Sequence, residues 1–186
     1  INDLTSSILS KLDQRNTFLL DVGFKEYKKE FAGVYQNFER DIYSILISNT
    51  ELISKYKRLF LIFPETVRTK DIITGFNKFS KTKTIQTFIK GGFNEADIKR
   101  QDAFIVIDDN DLVNIVKFAK TKNWQLGKDI GVISYNETNL KSVIGNGITT
   151  ITTDFEKMGK TMAEMIINNT PEIVENPFVI IDRQSF

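Results

Sequence analysis

The chain has 186 residues, with 25 lysines and arginines against 24 aspartates and glutamates, so its formal net charge is +1. A charge this close to zero predicts no general attraction to nucleic acid or to an anionic membrane surface. Cysteine and histidine are absent, which excludes disulfides, thiol catalysis, the usual zinc sites and a Ser-His-Asp triad.

No part of the sequence predicts a membrane segment or a secretion signal. No apolar run approaches the ~20 residues of a membrane span, and the N-terminal stretch INDLTSSILSKLDQRN has no basic-then-apolar pattern. The sequence therefore predicts a cytoplasmic protein, and we expect neither a metal nor a cofactor.

The N-terminal part of the chain predicts a short helix, two short strands and a longer helix. The apolar residues of the first helix are Leu4, Ile8, Leu9 and Leu12. Strands are predicted at 17–22 and at Ala32–Tyr35, separated by the charged run KEYKKE. The inner face of the next helix is predicted to comprise Phe38, Ile42, Ile45, Leu46 and Ile53.

The middle of the chain alternates between apolar strands and amphipathic helices. Strands are predicted at 58–63, 84–89 and 103–107. The helix between the first two carries Ile72, Ile73, Phe76 and Phe79. Asp109 or Asp111 is predicted to cap the helix after the third strand. The inner face of that helix is predicted to comprise Leu112, Val113, Ile115, Val116 and Ala119.

The stretch 127–165 is the most informative part of the sequence. The apolar run Ile130 to Ile133 is typical of a strand buried in a parallel sheet, and the polar residues 135–137 follow its carboxyl end. Thr153 or Asp154 is predicted to cap the next helix, with Glu156 completing a capping box from Thr153. Phe155, Met158, Met162, Met165 and Ile166 form an apolar stripe on that helix, which we interpret as core.

The regular alternation of strands and helices, which ends with a strand at 178–181, predicts an α/β fold with a parallel sheet and helices on both faces. The loop after the first strand, LDVGF, contains neither G-x-G-x-x-G nor a phosphate-binding loop. This disfavours a nucleotide-dependent enzyme. Sugar hydrolysis by carboxylates alone remains an alternative.

Several segments, in the same order, resemble the effector-binding domain of LacI/GalR-type transcriptional regulators. FLLD resembles the family's VVLID strand, and VYQN its V-aromatic-Asp-Asn crossing between lobes. Further matches are YKRLFLIFP with HRRIAFLSGP, TGF with EGF, AFIVIDD with AIFVAND, SYNE with a Gly/Ser-aromatic-Asp-Asp corner, GITTITTDFE with a Leu-Thr-Thr crossing strand, and VIIDRQS with LVVR-S. YQNFERDIYSIL and GKDIGVISYNET are more similar to GntR-type winged-helix regulators that carry such a sensor.

The resemblance implies a type I periplasmic-binding-protein-like fold, with two lobes built on parallel Rossmann-like sheets. In the family, a DNA-binding head and several β-α units precede the strand matched by Phe18–Asp21, whereas few residues precede it here. We therefore expect a fragment without the head. Residues 1–34 and 149–175 would form an incomplete first lobe, and 35–148 and 176–186 the second lobe. Uncovered strand edges and apolar helix faces then predict a homodimer.

The resemblance also implies a small-molecule effector, expected to be a sugar or sugar derivative, in the cleft between the lobes. Tyr35 matches the family's cleft aromatic, and Asp108 and Asp109 match its Asn-Asp pair. Asn136 matches the first Asp of the strand-end pair. The cleft arginine is matched by Arg68, or by Lys70 close by.

Three of these positions depart from the family pattern. Asp108 replaces an Asn, Asn136 replaces an Asp, and Glu137 replaces the second Asp. The sequence therefore leaves the identity of the effector open.

Most of the candidate residues also have a structural interpretation. Asp109 could be only a helix cap, Asn136 could only complete a turn, and Arg68 could be a solvated loop residue. Trp124 is better explained as a cover over the core than as a sugar platform. Asp108 is harder to explain in this way, because a carboxylate at the end of an apolar strand needs partners.

These inferences together predict the sensing and dimerising domain of a bacterial one-component transcription regulator. DNA would be bound only through the missing head, and an effector would shift its operator affinity. An extracytoplasmic solute-binding protein of a transporter shares the architecture and is the main alternative.

Overall fold

A computed structural model describes residues 3–21, 30–67 and 70–186, and all elements below belong to these ranges. The helices are α1 (Asp3–Leu9), α2 (Phe38–Ser48), α3 (Thr50–Ile53), α4 (Asp71–Ser80), α5 (Asp109–Thr121) and α6 (Phe155–Ile167). The strands are β1 (Phe18–Asp21), β2 (Ala32–Tyr35), β3 (Arg58–Ile62), β4 (Gln86–Lys90), β5 (Asp102–Val106), β6 (Gly131–Tyr135), β7 (Thr149–Thr153), β8 (Ile173–Glu175) and β9 (Phe178–Ile181).

The chain divides into two compact units. The first comprises Ile1–Asn37 and Thr153–Pro177, and the second comprises Phe38–Thr152 and Phe178–Phe186. The divisions expected from the sequence, at 34, 149 and 175, lie a few residues before these boundaries. That the first unit is an incomplete lobe remains a prediction.

The first unit contains a parallel sheet in the order β1-β2-β8, with α6 packed against β1 and β2. Its buried core consists of Val34, Met158, Met162 and Met165. The predicted methionine stripe is therefore confirmed as core. Its two outer members are not part of that core, since Phe155 is 59% exposed and Ile166 is 52% exposed. The small sheet covers only a narrow face of the helix.

The cap of α6 is Asp154, whose side chain accepts a hydrogen bond from the Lys157 backbone N–H at 2.9 Å. Thr153 was the alternative, and it does not cap this helix. It is the buried last residue of β7, and its hydroxyl donates to the Gln36 side chain instead. The capping box predicted between Thr153 and Glu156 is therefore wrong.

The second unit is built on a six-stranded sheet in the order β4-β3-β5-β6-β7-β9. The pairs β4/β3, β3/β5, β5/β6 and β6/β7 are parallel. Because side chains alternate across a strand, Leu59 and Leu61 enter one core and Phe60 and Ile62 the other. Helices α2 and α4 cover the first core, and α5 covers the second. This confirms the predicted α/β fold with helices on both faces.

The edge strand β9 is antiparallel to the other strands of this sheet. At its start, the Phe178 ring lies 5.4 Å from the Tyr135 ring at the carboxyl end of β6. Beyond its end, the Ser185 carbonyl accepts from the Val132 N–H at 2.7 Å, and the Ser185 hydroxyl donates to the Val132 carbonyl at 2.6 Å. These contacts give β9 the opposite direction to the five parallel strands.

Two helix predictions need correction. The helix predicted from Phe38 to Ile53 is divided at Asn49, whose side-chain amide donates to the Ile45 carbonyl at 2.8 Å. Such side chains compete with the backbone for hydrogen bonds. Val113, predicted on the inner face of α5, is 38% exposed. Across the described residues, no helix combines the length and apolarity needed to cross a bilayer.

Candidate ligand-binding site

The ends of β5 and β6 bring three of the predicted site residues to one edge of the sheet. Val106 and Ser134 are paired in the register of these two parallel strands. Asp108 and Asn136 each follow two residues later, so they leave the sheet side by side, with Asp109 next in the chain. The carboxyl edge of a parallel sheet is where α/β proteins bind their ligands.

Asp108 is the N-cap of α5. Its backbone is extended, with φ −102° and ψ 139°, and its Oδ1 accepts from the Asn110 N–H at 2.8 Å. The prediction that Asp109 or Asp111 caps this helix is therefore wrong. Asp111 instead accepts from the Phe93 N–H at 2.9 Å and fixes the loop after β4. Asp108 is half-buried, as a carboxylate held at a helix N-terminus can be.

Asp109 lies in the first turn of α5, with a side chain that is 65% exposed. Its Oδ1 accepts a charge-assisted bond from Lys141 Nζ at 2.9 Å. The carboxylate is thus neutralised by a lysine that lies past the end of the neighbouring strand.

Lys141 was not predicted from the sequence. Its side chain is only 3% exposed, and Nζ donates to the Tyr135 and Asn136 carbonyls at 2.8 Å each, as well as to Asp109. An ammonium has three donors, and all three have acceptors here. The segment NLKSVIG carries no periodic pattern that would have distinguished this lysine from a solvated one.

Asn136 adopts a left-handed conformation with φ 63°. Its N–H donates to the Ile151 carbonyl at 2.8 Å and its carbonyl accepts from Lys141, so its backbone forms the turn that closes β6. Asparagine tolerates this conformation better than most residues. Its exposed side-chain amide makes no hydrogen bond to the described parts of the chain, which leaves it open to a ligand.

Glu137, the next residue, is held by Arg183. Nη1 donates to Oε2 at 2.9 Å and Nη2 to Oε1 at 2.8 Å, and Thr150 also donates its hydroxyl to Oε2. The hydrogen bonds from Arg183 hold the pKa of Glu137 below its ordinary value, helped by Thr150 and by the nearby charges and opposed by burial. This carboxylate serves the fold of the corner and is not a free ligand group.

The other two predicted residues lie elsewhere. Tyr35 is the last residue of β2 in the first unit, where its hydroxyl donates to Glu175 Oε2 at 3.1 Å. Arg68 lies outside the described residues. Its alternative, Lys70, is exposed at the start of α4, where its side chain makes no capping bond.

Trp124 packs as a structural residue. Its ring is 5.4 Å from the Phe118 ring in an edge-on contact, and the Arg100 guanidinium lies 5.7 Å from its centroid. It is half-buried against the core beneath α5. This agrees with its interpretation as a cover over the core.

Two larger cavities lie away from the strand-end residues. One, of about 670 Å³, lies in the first unit beside Phe31 and Ile173. The other, of about 570 Å³, lies in the second unit beside Trp124 and Gln184. Neither is lined by Asp108, Asp109 or Asn136. At the edge of the sheet, Asp109 and Asn136 are exposed to solvent and Asp108 is half-buried.

Residues 64–186, about two thirds of the chain, match the family model of the periplasmic binding protein-like domain. The chain belongs to this family. The matched range contains the whole strand-end cluster. No curated protein matches the chain.

Solved structures show the same periplasmic binding protein-like fold at low sequence identity. A dimeric Lac repressor with an 11-residue C-terminal deletion is 16% identical with a TM-score of 0.61, over 82% of this chain and 62% of that one. A probable maltose operon transcriptional repressor from Staphylococcus aureus is 13% identical with a TM-score of 0.69, over 99% and 72%.

A third structure contains a sugar. It is a periplasmic binding protein/LacI transcriptional regulator from Alkaliphilus metalliredigens, complexed with D-xylulofuranose. It is 15% identical with a TM-score of 0.60, over 83% of this chain and 65% of that one. The chain thus spans less than two thirds of two of these three proteins. None of the three bears on the predicted likeness to GntR-type regulators.

Proposed function

We propose that this chain is the effector-sensing domain of a bacterial transcription regulator of LacI type. The observation that carries the proposal is the cluster of Asp108, Asp109 and Asn136 at the carboxyl edge of β5 and β6, in a periplasmic binding protein-like fold. The effector binds at this edge, and DNA is bound by an attached N-terminal head. A GntR-type winged-helix head is the finer form of this proposal.

The charges at this edge favour an uncharged, hydroxyl-bearing effector. Lys141 neutralises Asp109, and Arg183 neutralises Glu137. The groups left for a ligand are the Asp108 carboxylate, which caps α5 through one of its oxygens, and the Asn136 amide. One acceptor and one amide that both donates and accepts suit adjacent sugar hydroxyls. A cationic effector would be favoured by several unpaired carboxylates, whereas Asp108 is the one such carboxylate of this cluster and lies at the positive end of the α5 dipole.

Regulation follows from differential binding. An effector that binds one conformation of the sensor better than another shifts the population toward it, and the attached head changes its operator affinity by the same coupling free energy. We further propose a cytoplasmic homodimer. Exposed apolar side chains of the first unit support the dimer, because Ile167 is 80% exposed and Ile173 is 52% exposed.

The proposal is tested by thermal unfolding of this chain with neutral monosaccharides, sugar acids and sugar phosphates, D-xylulose included. At least one neutral sugar should raise the melting temperature with a saturating concentration dependence. Asp108→Asn keeps the side-chain acceptor that caps α5 but replaces the other oxygen, the acceptor left for a ligand, with an amide donor, so the variant should fold normally and lose most of this shift. If no sugar stabilises the wild type, or if Asp108→Asn responds like the wild type, the site assignment is wrong.

In cells, the same substitution in the full-length regulator should abolish the response of a reporter to that sugar and leave operator binding unchanged. Loss of operator binding together with the response would show a folding defect in place of an effector defect.

A further inference from the structure

The corner that connects β6 to β7 has an unusual anchor. The corner consists largely of two short 3₁₀ turns, Asn139–Ser142 and Ile144–Asn146. Leu140 and Val143 of this corner are exposed to solvent. Short 3₁₀ turns have poorer hydrogen-bond geometry than an α-helix and hold little structure by themselves. From residue 136 to residue 146, all of which the structure describes, one side chain is buried, and it is Lys141.

A lysine is an unexpected choice for this position. Burying an ammonium is unfavourable unless it is paired and fully hydrogen-bonded, whereas a methionine or leucine would fill the same volume without that requirement. Lys141 meets the requirement with three acceptors, at 2.8, 2.8 and 2.9 Å. The hydrogen bonds of the ammonium therefore fix the orientation of its three acceptors, which apolar packing alone does not do.

Each of these bonds acts on a group at the ligand-binding edge. The bond to the Asn136 carbonyl fixes the left-handed turn from which the Asn136 amide projects. The bond to Asp109 draws its carboxylate toward the corner and balances its charge. The bond to the carbonyl of Tyr135, the last residue of β6, holds the ammonium at the end of that strand. One nitrogen thus joins the ends of two neighbouring strands.

We propose that Lys141 is the positioning residue of the ligand-binding edge, and that its ammonium orients Asn136 for an uncharged effector and balances the charge of Asp109 beside it. This inference rests on the proposed function, because it concerns the same edge. Lys141 does not contact the effector, since all three of its donors are used within the protein.

The absence of cysteine from the chain permits a test of the ammonium itself. Lys141→Cys would carry the single thiol, which can be alkylated in denaturant before refolding. Bromoethylamine would produce a thioether side chain that ends in an ammonium and has the length of lysine. Bromopropane would produce a side chain of the same length that ends in a methyl group. The two products differ only in the group to which the inference assigns the function.

Hydrogen exchange provides a readout that needs no effector. The Ile148 N–H donates to the Lys141 carbonyl, and the Gly147 N–H to the Ile144 carbonyl, both at 2.8 Å. In the propylated form, these amides should exchange at least about tenfold faster than in the wild type, while β3 amides keep their rates. The aminoethylated form should restore the wild-type rates at the corner.

Sugar affinity is the second readout, with whichever neutral sugar stabilises the wild type. The propylated form should bind it at least about tenfold more weakly, and the aminoethylated form should recover most of that loss. Lys141→Met, which needs no refolding, should behave as the propylated form does, whereas Lys120→Met, at an exposed lysine on α5, should behave as the wild type.

Equal corner exchange and sugar affinity in the two alkylated forms would overturn the inference, as would faster exchange spread uniformly over corner and β3. If no sugar binds the wild type, the proposed function fails while the exchange comparison still decides whether the ammonium orders the corner.

Discussion

Arg183 and Glu137 form a two-bond ion pair, with Nη1–Oε2 at 2.9 Å and Nη2–Oε1 at 2.8 Å, that joins the C-terminal segment to the corner after β6. Both side chains are about three quarters removed from solvent. A paired, partly desolvated guanidinium and carboxylate stabilise the fold more than a surface pair does. The corner that carries Asn136 is therefore stabilised by this ion pair and by the buried side chain of Lys141.

The pair predicts a pH dependence of stability. Because the pKa of Glu137 is lower in the folded chain than in the unfolded chain, its contribution is fully present above the unfolded pKa and is lost as pH falls through the folded pKa. The free energy of unfolding should fall more steeply between about pH 5 and 3 in the wild type than in Glu137→Gln. Urea titrations at several pH values measure this difference, and parallel curves would contradict it.

The cap of α5 predicts different outcomes for two substitutions of one residue. Asp108→Ala removes the acceptor of the Asn110 N–H and should cost about 1 kcal/mol of stability. Asp108→Asn retains an acceptor and should cost only a few tenths of that. Chemical denaturation of the two variants decides the matter. An equal loss in both would indicate that the charge, and not the cap, stabilises the helix.

Substitution of either partner in the Lys141–Asp109 ion pair should cost a different amount of stability. Asp109 is 65% exposed, so Asp109→Asn should cost less than about 1 kcal/mol. Lys141→Met leaves the Tyr135 and Asn136 carbonyls without this donor, and should cost about 2 kcal/mol or more. Equilibrium unfolding measures both values. Similar costs would indicate that the ion pair dominates and that the bonds to the carbonyls contribute little.

Alanine substitutions at two glycines should change the stability of the chain in opposite directions. A Cβ at Gly131 would lie 2.5 Å from Tyr56 Cζ, so Gly131→Ala should cost about 1–3 kcal/mol through displacement of a buried ring. Gly159 is an exposed position inside α6 with no atom within 4 Å of an added Cβ. Gly159→Ala should therefore stabilise the chain by about 0.5–1 kcal/mol. Thermal unfolding tests both, and a stabilised Gly131→Ala would contradict the packing described here.

The sequence was sufficient for the order of the main strands and helices of the second unit, and for the edge of its sheet at which Asp108 and Asn136 lie. Apolar runs such as RLFLIF have a strong local pattern, and a run of this kind buried on both faces requires a parallel sheet with helices on each side. Asp108 and Asn136 were placed correctly because each directly follows such a run. Their meeting at one edge follows from the topology.

What the sequence did not provide depends on contacts between distant residues. Lys141 is buried because carbonyls of β6 and the first turn of α5 converge on it, and local pattern assigns a lysine to solvent by default. Phe155 and Ile166 fit a helical stripe but lie beyond the narrow sheet that α6 covers. Asp109 or Asp111 was predicted as the cap, and Asp108 was missed, because the end of β5 was placed one residue too late.

The most direct test of the central claim compares two asparagines. Asn136 and Asn123 are both exposed and left-handed, with φ 63° and 53°, and glycine accepts this conformation without strain. Calorimetric titration with the neutral sugar that stabilises the wild type should show affinity at least about tenfold weaker in Asn136→Gly and unchanged in Asn123→Gly. Wild-type affinity in Asn136→Gly would contradict the assignment of the ligand to this edge of the sheet.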